Sequence, residues 1–166
     1  MKILIFGLPG SGKTTLAKPL AELIGGVHLN ADNIREMYEG HDKKNWDFSP
    51  EGRIRQAQRM RYLADGIVLA GKVVVADFVC PTKETREIFK ADFKVYMDTI
   101  KSSKYEDTNS IFEKAETQGL DCDYHVAEWF DDTHKTLIPV IDRYFKKQNT
   151  TPIGYWSYIL DKKGEL

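Results

Sequence analysis

Runs of a few apolar residues alternate along the chain with longer stretches whose apolar positions recur every three or four residues. Runs of the first kind predict buried strands, and stretches of the second kind predict helices with one apolar face. The predicted strands are residues 2–6, 27–29, 72–78, 93–97 and, with a less regular pattern, 124–129. The predicted helices are residues 14–24, 34–38, 50–70, 82–89 and 133–147.

The order of these elements predicts the fold class. Residues 73–76, Val-Val-Val-Ala, show no polar alternation, which is typical of a central parallel strand buried on both faces. Strands that alternate with helices through short links favour an open parallel sheet with helices on both faces. We therefore expect an α/β protein with three layers, α/β/α, around a mostly parallel five-stranded sheet. Ligands of such sheets bind at the carboxyl ends of the strands.

Size and composition limit the possible partners. The chain has 166 residues, the length of about one domain, and we expect a single domain over residues 1–150. Its 24 Lys and Arg nearly balance its 25 Asp and Glu, so we do not expect nucleic acid as a partner. The apolar run at residues 3–6 is too short for a signal sequence or a membrane span, and we expect a cytoplasmic protein without membrane contact. Cys80 and Cys122 lack CxxC spacing and predict free thiols.

The segment GLPGSGKT at residues 7–14 matches the phosphate-binding motif G-x-x-x-x-G-K-[ST] in full. It follows a predicted strand and opens a predicted helix, which is the context that the motif requires. Backbone N–H groups of such a loop point at phosphates, and its glycines permit the close approach. The motif predicts a P-loop NTPase of the nucleotide-kinase type with ATP as co-substrate. The expected ATP-binding residues are Gly7, Leu8, Pro9, Gly10, Ser11, Gly12, Lys13, Thr14 and Thr15.

Three side chains of this motif have separate expected roles. Lys13 is the expected catalytic cation, bridging the β- and γ-phosphates. The Thr14 hydroxyl is expected to bind Mg²⁺, which neutralises charge on the transferred phosphoryl group. Thr15 is placed to contact the α-phosphate.

Polar residues after the second predicted strand suggest an acceptor site. A carboxylate there, Asp32, could orient a hydroxyl for in-line attack, and the guanidinium groups of Arg35 and Arg53 could bind phosphate or sulfate. Each residue also has a structural alternative. Asp32 could cap a helix, and the two arginines could lie on solvated helix faces.

Four segments within residues 1–100 resemble the adenylylsulfate (APS) kinase family. They are GLPGSGKTTLAKPL at 7–20, LNADNIRE at 29–36, DFSPEGRIRQAQRM at 47–60 and DFVCPTKETR at 77–86. The second resembles the family's LDGDNVR and the third its GFS-x-x-x-R-x-x-N-I-R-R. The fourth resembles SFISP-x-x-x-x-R.

The resemblance implies roles for residues on the acceptor side. Asp32 would lie near the acceptor hydroxyl and Mg²⁺, and Phe48 would stack on the acceptor's adenine. The remaining residues that it implies for acceptor binding are Arg35, Arg53, Gln56, Val79 and Cys80. Phe48 could instead pack against the following helix as a staple.

The chain departs from the family pattern at several positions. Asn30 replaces an acidic residue, Cys80 replaces a serine, and Asp77 replaces a small polar residue. A carboxylate at 77 could bind Mg²⁺ as a Walker-B-like acid. The family's basic lid segment is absent, and we expect a shorter mobile lid near residues 102–122. The aromatic tail at 151–166 is expected to pack on the domain or on a partner.

The function that these patterns favour is ATP-dependent phosphorylation of the 3′-hydroxyl of adenylylsulfate, a small anionic acceptor. A kinase of the same fold acting on a nucleoside, nucleotide, sugar acid or polynucleotide 5′ end is the first alternative. The second is a non-catalytic nucleotide-binding protein. The sequence leaves a homodimer open as well.

Overall fold

Strands and helices alternate throughout the computed structural model, which describes residues 1–117, 121–129 and 131–147. The strands of this part are β1 (Lys2–Gly7), β2 (Val27–Asn30), β3 (Val74–Phe78), β4 (Phe93–Met97) and β5 (Tyr124–Val126). Its helices are α1 (Lys13–Leu23), α2 (Ala31–Glu39), α3 (Pro50–Leu69), α4 (Lys83–Phe89), α5 (Glu106–Ile111) and α6 (Thr133–Lys147). A 3-10 turn at Lys43–Asn45 links α2 to α3. The expected aromatic tail, residues 151–166, lies outside the described residues.

The five strands form one sheet in the order β2-β3-β1-β4-β5, and every neighbouring pair is parallel. This confirms the predicted fold class. Strand β3 lies inside the sheet, and its residues Val74, Val75 and Ala76 are fully buried, as their unbroken apolar run predicted. Because all strands run the same way, their carboxyl ends share one edge of the sheet.

Helices cover both faces of the sheet. Helices α1 and α6 pack on one face, where Leu16, Leu20 and Leu137 meet the β1 side chains Ile3 and Ile5. Helices α2, α3 and α4 cover the other face, which includes Leu4 and Phe6 of the same strand. None of the helices in the described ranges combines the length and apolar character that crossing a bilayer needs.

Helix α5 was not predicted from the hydrophobic pattern. It lies within residues 102–122, for which we expected only a mobile lid. Its sequence, EDTNSI, has no apolar period, but Thr108 is buried and Asn109 bonds the preceding turn. The Asn109 Oδ1 accepts from the backbone N–H of Ser103 at 2.9 Å, and its Nδ2 donates to the Ser103 carbonyl at 2.8 Å. Polar side chains attach this helix to the domain, and for that reason the hydrophobic pattern did not predict it.

The first turn of α3 packs against the loop that precedes the helix. Ser49 caps the helix by accepting the backbone N–H of Gly52 at 3.1 Å, and Pro50 occupies the first turn, as predicted. A Cβ at Gly52 would lie 2.4 Å from the Asp47 carbonyl oxygen. The absence of a side chain at Gly52 therefore lets the loop before α3 pack directly on the helix.

Two glycines of α3 offer a matched test of this contact. Gly66→Ala, where a Cβ would meet nothing within 4 Å, should stabilise the protein by about 0.5–1 kcal/mol through helix propensity. Gly52→Ala brings the same propensity gain but should destabilise the protein, because the new Cβ clashes with Asp47. Urea unfolding of both variants measures the difference. A Gly52→Ala variant as stable as Gly66→Ala would contradict this packing.

Candidate active site

A cavity of about 770 Å³ opens at the carboxyl edge of the sheet. Most of the residues expected from the sequence line it: Pro9, Gly10, Lys13, Thr14, Asp32, Arg35, Phe48, Arg53, Gln56, Asp77, Val79 and Cys80. The expected loop residues Gly7, Leu8, Ser11, Gly12 and Thr15 do not line it. The cavity thus joins the loop between β1 and α1 to residues from α2, α3 and the segment after β3.

The loop between β1 and α1 has a shape that depends on its glycines. Gly12 is the N-cap of α1 at φ 91°, a left-handed conformation that suits glycine. A Cβ at Gly7 would lie 2.4 Å from the Met97 carbonyl oxygen, so only glycine fits against β4. The Ser11 hydroxyl is the one buried side-chain oxygen or nitrogen without a hydrogen-bond partner among the described residues.

Lys13 opens α1 at the floor of the cavity. Its Nζ donates to the Leu8 carbonyl at 2.7 Å, so the side chain folds back over the loop. Burial lowers the pKa of Lys13 to about 8, although the charges of Asp77 and Asp32 act in the opposite direction. An anion in the loop would replace the lost solvation of this ammonium group.

Asp77 connects three elements at the end of β3. Its Oδ2 accepts a 2.5 Å hydrogen bond from the Thr14 hydroxyl, and its Oδ1 accepts from Asn30 Nδ2 at 2.9 Å. Asn30 and Asp77 are register partners on neighbouring strands β2 and β3. The family pattern has an acid at position 30 and a small polar residue at 77. In this chain the carboxylate lies at the end of β3, next to the amide of Asn30 at the end of β2.

The donors at this point fit a magnesium ion. The Thr14 hydroxyl and the Asp77 carboxylate are hard oxygen ligands, which Mg²⁺ prefers. No cluster of three or more His, Cys, Asp or Glu side chains that could hold a metal occurs in the described part of the chain. An ion held by one or two protein oxygens together with nucleotide phosphates needs no such cluster. Asp32 lies across the same cavity as the third expected ligand.

Asp32 is exposed to the cavity from the first turn of α2. The alternative role as a helix cap is wrong, because Asn30 is the N-cap and its Oδ1 accepts the backbone N–H of Asn33 at 3.1 Å. The Asp32 carboxylate is therefore not used by the helix end. It remains accessible to a ligand.

Arg35 does not lie on a solvated helix face, and that alternative is wrong. The residue is only 5% exposed, and its Nη1 donates to Glu39 at 3.2 Å and to the Asp47 carbonyl at 2.7 Å. Burial alone would raise the pKa of Glu39, but hydrogen bonds from the Asp47 backbone and from Arg59 and Arg35 lower it. A largely enclosed carboxylate, that of Glu39, thus holds this guanidinium at the cavity wall.

Arg53 is also buried, at 8% exposure, which excludes the solvated alternative. Its Nε donates to the Phe48 carbonyl at 2.9 Å, and its Nη2 donates to Asp107 at 3.1 Å and to the Thr108 hydroxyl at 3.0 Å. Burial lowers the pKa of Arg53, and the Asp107 charge opposes that effect. Residues of α5 therefore already accept hydrogen bonds from part of the Arg53 guanidinium, which the sequence predicted to bind an acceptor.

Phe48 lies against both arginines. Its ring centroid is 4.6 Å from the Arg35 guanidinium carbon and 5.5 Å from that of Arg53. The ring is 45% exposed and faces the cavity, with Trp46 beside it at 6.3 Å between centroids. These contacts form an aromatic and cationic wall of the cavity that the loop at residues 7–14 also lines. The contact with Arg53, one turn into α3, matches the staple that was the alternative for Phe48, so the ring both packs on this helix and lines the cavity.

Gln56, Val79 and Cys80 line the inner end of the cavity. Gln56 Nε2 donates to the Ala31 carbonyl at 2.9 Å, so the amide braces α3 against α2. Burial raises the pKa of the Cys80 thiol to about 12. The thiol is therefore protonated at neutral pH and is no nucleophile.

Sequence patterns did not reveal three further residues at this edge. His28 Nε2 lies 3.1 Å from Asp77 Oδ1. The only feature of the sequence that could have indicated this contact is the two-residue spacing of His28 and Asn30 on one predicted strand. Asp107 is 54 positions from Arg53, so no local pattern could pair them. Trp129, 43% exposed, lies with its ring 3.3 Å from where a Gly12 Cβ would be, beside the phosphate-binding loop.

The parallel sheet, the glycine-rich loop, the half-buried lysine and the buried carboxylate beside it define a P-loop kinase, the class that transfers a phosphoryl group from ATP. A family model described as an AAA domain matches residues 3–95. The adenylyl-sulfate kinase of Staphylococcus epidermidis is 30% identical over 166 residues, covering 85% of this chain and 81% of that protein. The adenylyl-sulfate kinase of Shewanella pealeana is 34% identical over 121 residues, covering 66% of this chain and 57% of that protein. The chain belongs to the adenylyl-sulfate kinase family.

A solved structure agrees with this fold. The APS kinase CysC of Mycobacterium tuberculosis, determined in complex with AMPPNP and APS, superimposes with a TM-score of 0.68 at 17% identity. The match covers 84% of this chain and 96% of that one. At this identity the likeness concerns the fold alone.

The lowered pKa of Lys13 predicts how nucleotide affinity depends on pH. Below about pH 8 the ammonium is already charged, and affinity for ATP should be flat. Above that pH, binding must take up a proton because phosphates favour the charged form, so affinity should fall by up to about tenfold per pH unit. Calorimetric titration of ATP between pH 7 and 9.5 measures this.

Lys13→Arg is the control for this titration, because its guanidinium stays charged over the whole range. Its ATP affinity should lose the decline above pH 8, whatever its absolute value. A flat wild-type profile up to pH 9.5, or the same decline in Lys13→Arg, would contradict the assignment.

Proposed function

We propose that the protein transfers the γ-phosphoryl group of ATP to the 3′-hydroxyl of adenylyl sulfate, giving 3′-phosphoadenylyl sulfate and ADP. The observation that carries the proposal is that one cavity is lined both by the phosphate-binding loop and by Phe48, Arg35 and Arg53. The family membership of the chain supports the same acceptor. Phe48 would stack on the adenine, and the arginines would face the phosphate and sulfate groups.

On the donor side, the loop at residues 7–14 holds the phosphates of ATP. Lys13 Nζ exchanges the Leu8 carbonyl for the β- and γ-phosphates, where its charge offsets that of the transferring group. Thr14 and Asp77 are the residues that would hold a magnesium ion. The ion, when bound, neutralises charge on the transferred phosphoryl group.

On the acceptor side, Asp32 orients the attacking hydroxyl. The acceptor oxygen forms a bond to the γ-phosphorus while the bond from that phosphorus to the β–γ bridging oxygen breaks. The hydroxyl proton passes to the Asp32 carboxylate, and ADP carries the released electron pair. Catalysis then consists of positioning and charge neutralisation by residues of the cavity.

The pairing of both arginines favours a second candidate function. Arg35 already faces Glu39, and Arg53 already faces Asp107, so the acceptor wall carries less unpaired positive charge than two arginines suggest. A less anionic acceptor, such as a nucleoside or a sugar acid, would suit that balance. The same catalytic residues would act on it.

Transfer of labelled phosphate from ATP to a panel of acceptors separates these candidates. With adenylyl sulfate as acceptor, Asp32→Asn should lower kcat about 10²- to 10⁴-fold, the usual effect of a lost catalytic carboxylate. Lys13→Ala should lower kcat/KM by orders of magnitude as well. Both substitutions leave the buried core untouched.

Glu22→Gln is the control, because it removes an exposed carboxylate from α1 away from the cavity. It should retain wild-type rates. Transfer to another acceptor without transfer to adenylyl sulfate would favour the second candidate. Wild-type turnover by Asp32→Asn would overturn the role of that residue.

The ion pair between Arg53 and Asp107 predicts that removing the Asp107 charge increases the affinity for adenylyl sulfate. Because Asp107 competes with an anionic acceptor for Arg53, Asp107→Asn should lower KM for adenylyl sulfate. A pair of this exposure is worth about 0.5–1 kcal/mol, which corresponds to a two- to fivefold change. KM for ATP should not change. Steady-state kinetics with each substrate varied measures both.

Glu106→Gln removes the neighbouring negative charge on the same helix but no described partner of Arg53. It should leave KM for adenylyl sulfate within about 1.5-fold of wild type, since exposed charges are screened. A rise of KM in Asp107→Asn would mean that Asp107 helps to hold the acceptor.

A further inference from the structure

The carboxylate of Asp77 is held from two sides. It is only 2% exposed, and a carboxylate buried so deeply requires hydrogen bonds to its charged form. Oδ2 accepts from the Thr14 hydroxyl, whereas Oδ1 accepts from Asn30 and from His28. Oδ2 therefore meets a residue that lines the cavity, and Oδ1 is occupied by two donors from β2.

The strand register explains why His28 reaches this oxygen. His28 and Asn30 are two positions apart on β2, so both side chains point to the same face of the sheet. Their register partners on β3 are Val75 and Asp77, and Val75 packs in the cluster beneath α1. The two β2 side chains therefore approach Asp77 on the face where α1 begins with Lys13 and Thr14.

The chemistry of the acceptor atom fixes the role of the imidazole. An ionised carboxylate accepts hydrogen bonds and donates none, so the nitrogen 3.1 Å from Oδ1 must carry a proton. His28 Nε2–H is the donor. Since the Asn30 amide also donates to Oδ1, the two bonds fix the plane of the carboxylate about its Cβ–Cγ bond.

We propose that His28 is a positioning residue that holds Asp77 in the orientation needed to bind the magnesium ion of ATP. His28 does not touch nucleotide or metal. It fixes Oδ1 so that Oδ2 stays beside the Thr14 hydroxyl before the nucleotide arrives. The inference rests on the proposed magnesium site and not on the identity of the acceptor.

Nucleotide binding with and without magnesium tests this proposal independently of phosphoryl transfer. The probe is AMP-PNP, titrated calorimetrically in EDTA and again in excess Mg²⁺. The dissociation constant in EDTA divided by the dissociation constant in Mg²⁺ measures how strongly magnesium strengthens nucleotide binding. His28→Ala should lower this ratio about tenfold, the lower end of the effect typical of residues that orient metal ligands. Its dissociation constant in EDTA should match the wild type, which shows that the loop is intact.

His28→Gln supplies an N–H donor of similar reach and should restore the ratio to within about twofold. His125→Ala is the matched control, because His125 Nε2 also lies 3.1 Å from a carboxylate, that of Asp98, but outside the cavity. It should leave the ratio unchanged. A rescue by Gln and no effect of His125→Ala together support positioning through the hydrogen bond.

Three results would overturn the inference, and they differ in what they reject. A wild-type ratio near one would reject the magnesium site itself. An unchanged ratio in His28→Ala, with a clear wild-type effect, would reject only the role of His28. A loss in His28→Ala that Gln does not restore would mean that the imidazole acts by packing. All three results come from nucleotide binding and do not depend on turnover with any acceptor.

Discussion

The buried carboxylate of Asp77 is the constraint on which the arrangement of the site depends. It ends a strand inside the sheet, and its hydrogen bonds reach the first turn of α1 through Thr14 and strand β2 through Asn30 and His28. Three elements that are distant in sequence are thereby fixed around one point. The phosphate loop, the acidic start of α2 and the oxygens of Thr14 and Asp77 can adopt their relative positions because the parallel sheet brings all these ends to one edge.

The wall of the cavity that Arg35, Arg53 and Phe48 form follows a different principle, because its cations are neutralised within the protein. Glu39 holds Arg35, and Asp107 holds Arg53, so neither guanidinium is a buried charge without a partner. Within the described part of the chain, Lys13 on the phosphate-binding loop forms no such ion pair: it donates to a backbone carbonyl, and burial lowers its pKa to about 8. ATP therefore meets a cation that gains from a new partner, whereas an anionic acceptor must compete with the partners already present. This difference is the physical reason why the donor is easier to assign than the acceptor.

Local patterns predicted most of the fold and the position of the loop at residues 7–14. Uninterrupted valines at 73–75 placed a buried strand, and the motif at 7–14 placed the phosphate loop, because both signals lie within a few neighbouring residues. Interactions between distant segments were not predictable. The pairing of Asp107 with Arg53 depends on how a polar helix without apolar period closes onto α3. The contact of His28 with Asp77 depends on the register of two strands, which a single sequence does not determine.

The central claim is that one cavity holds ATP and adenylyl sulfate together, with phosphate groups of the two molecules on opposite walls. A crystal structure with AMP-PNP, Mg²⁺ and adenylyl sulfate tests it most directly. In that structure the adenine of adenylyl sulfate should lie against Phe48, its phosphate and sulfate should face Arg35 and Arg53, and its 3′-hydroxyl should be in hydrogen-bond contact with Asp32. Adenylyl sulfate absent from that wall at saturating concentration, or bound with its 3′-hydroxyl turned away from Asp32, would rule out this binding mode.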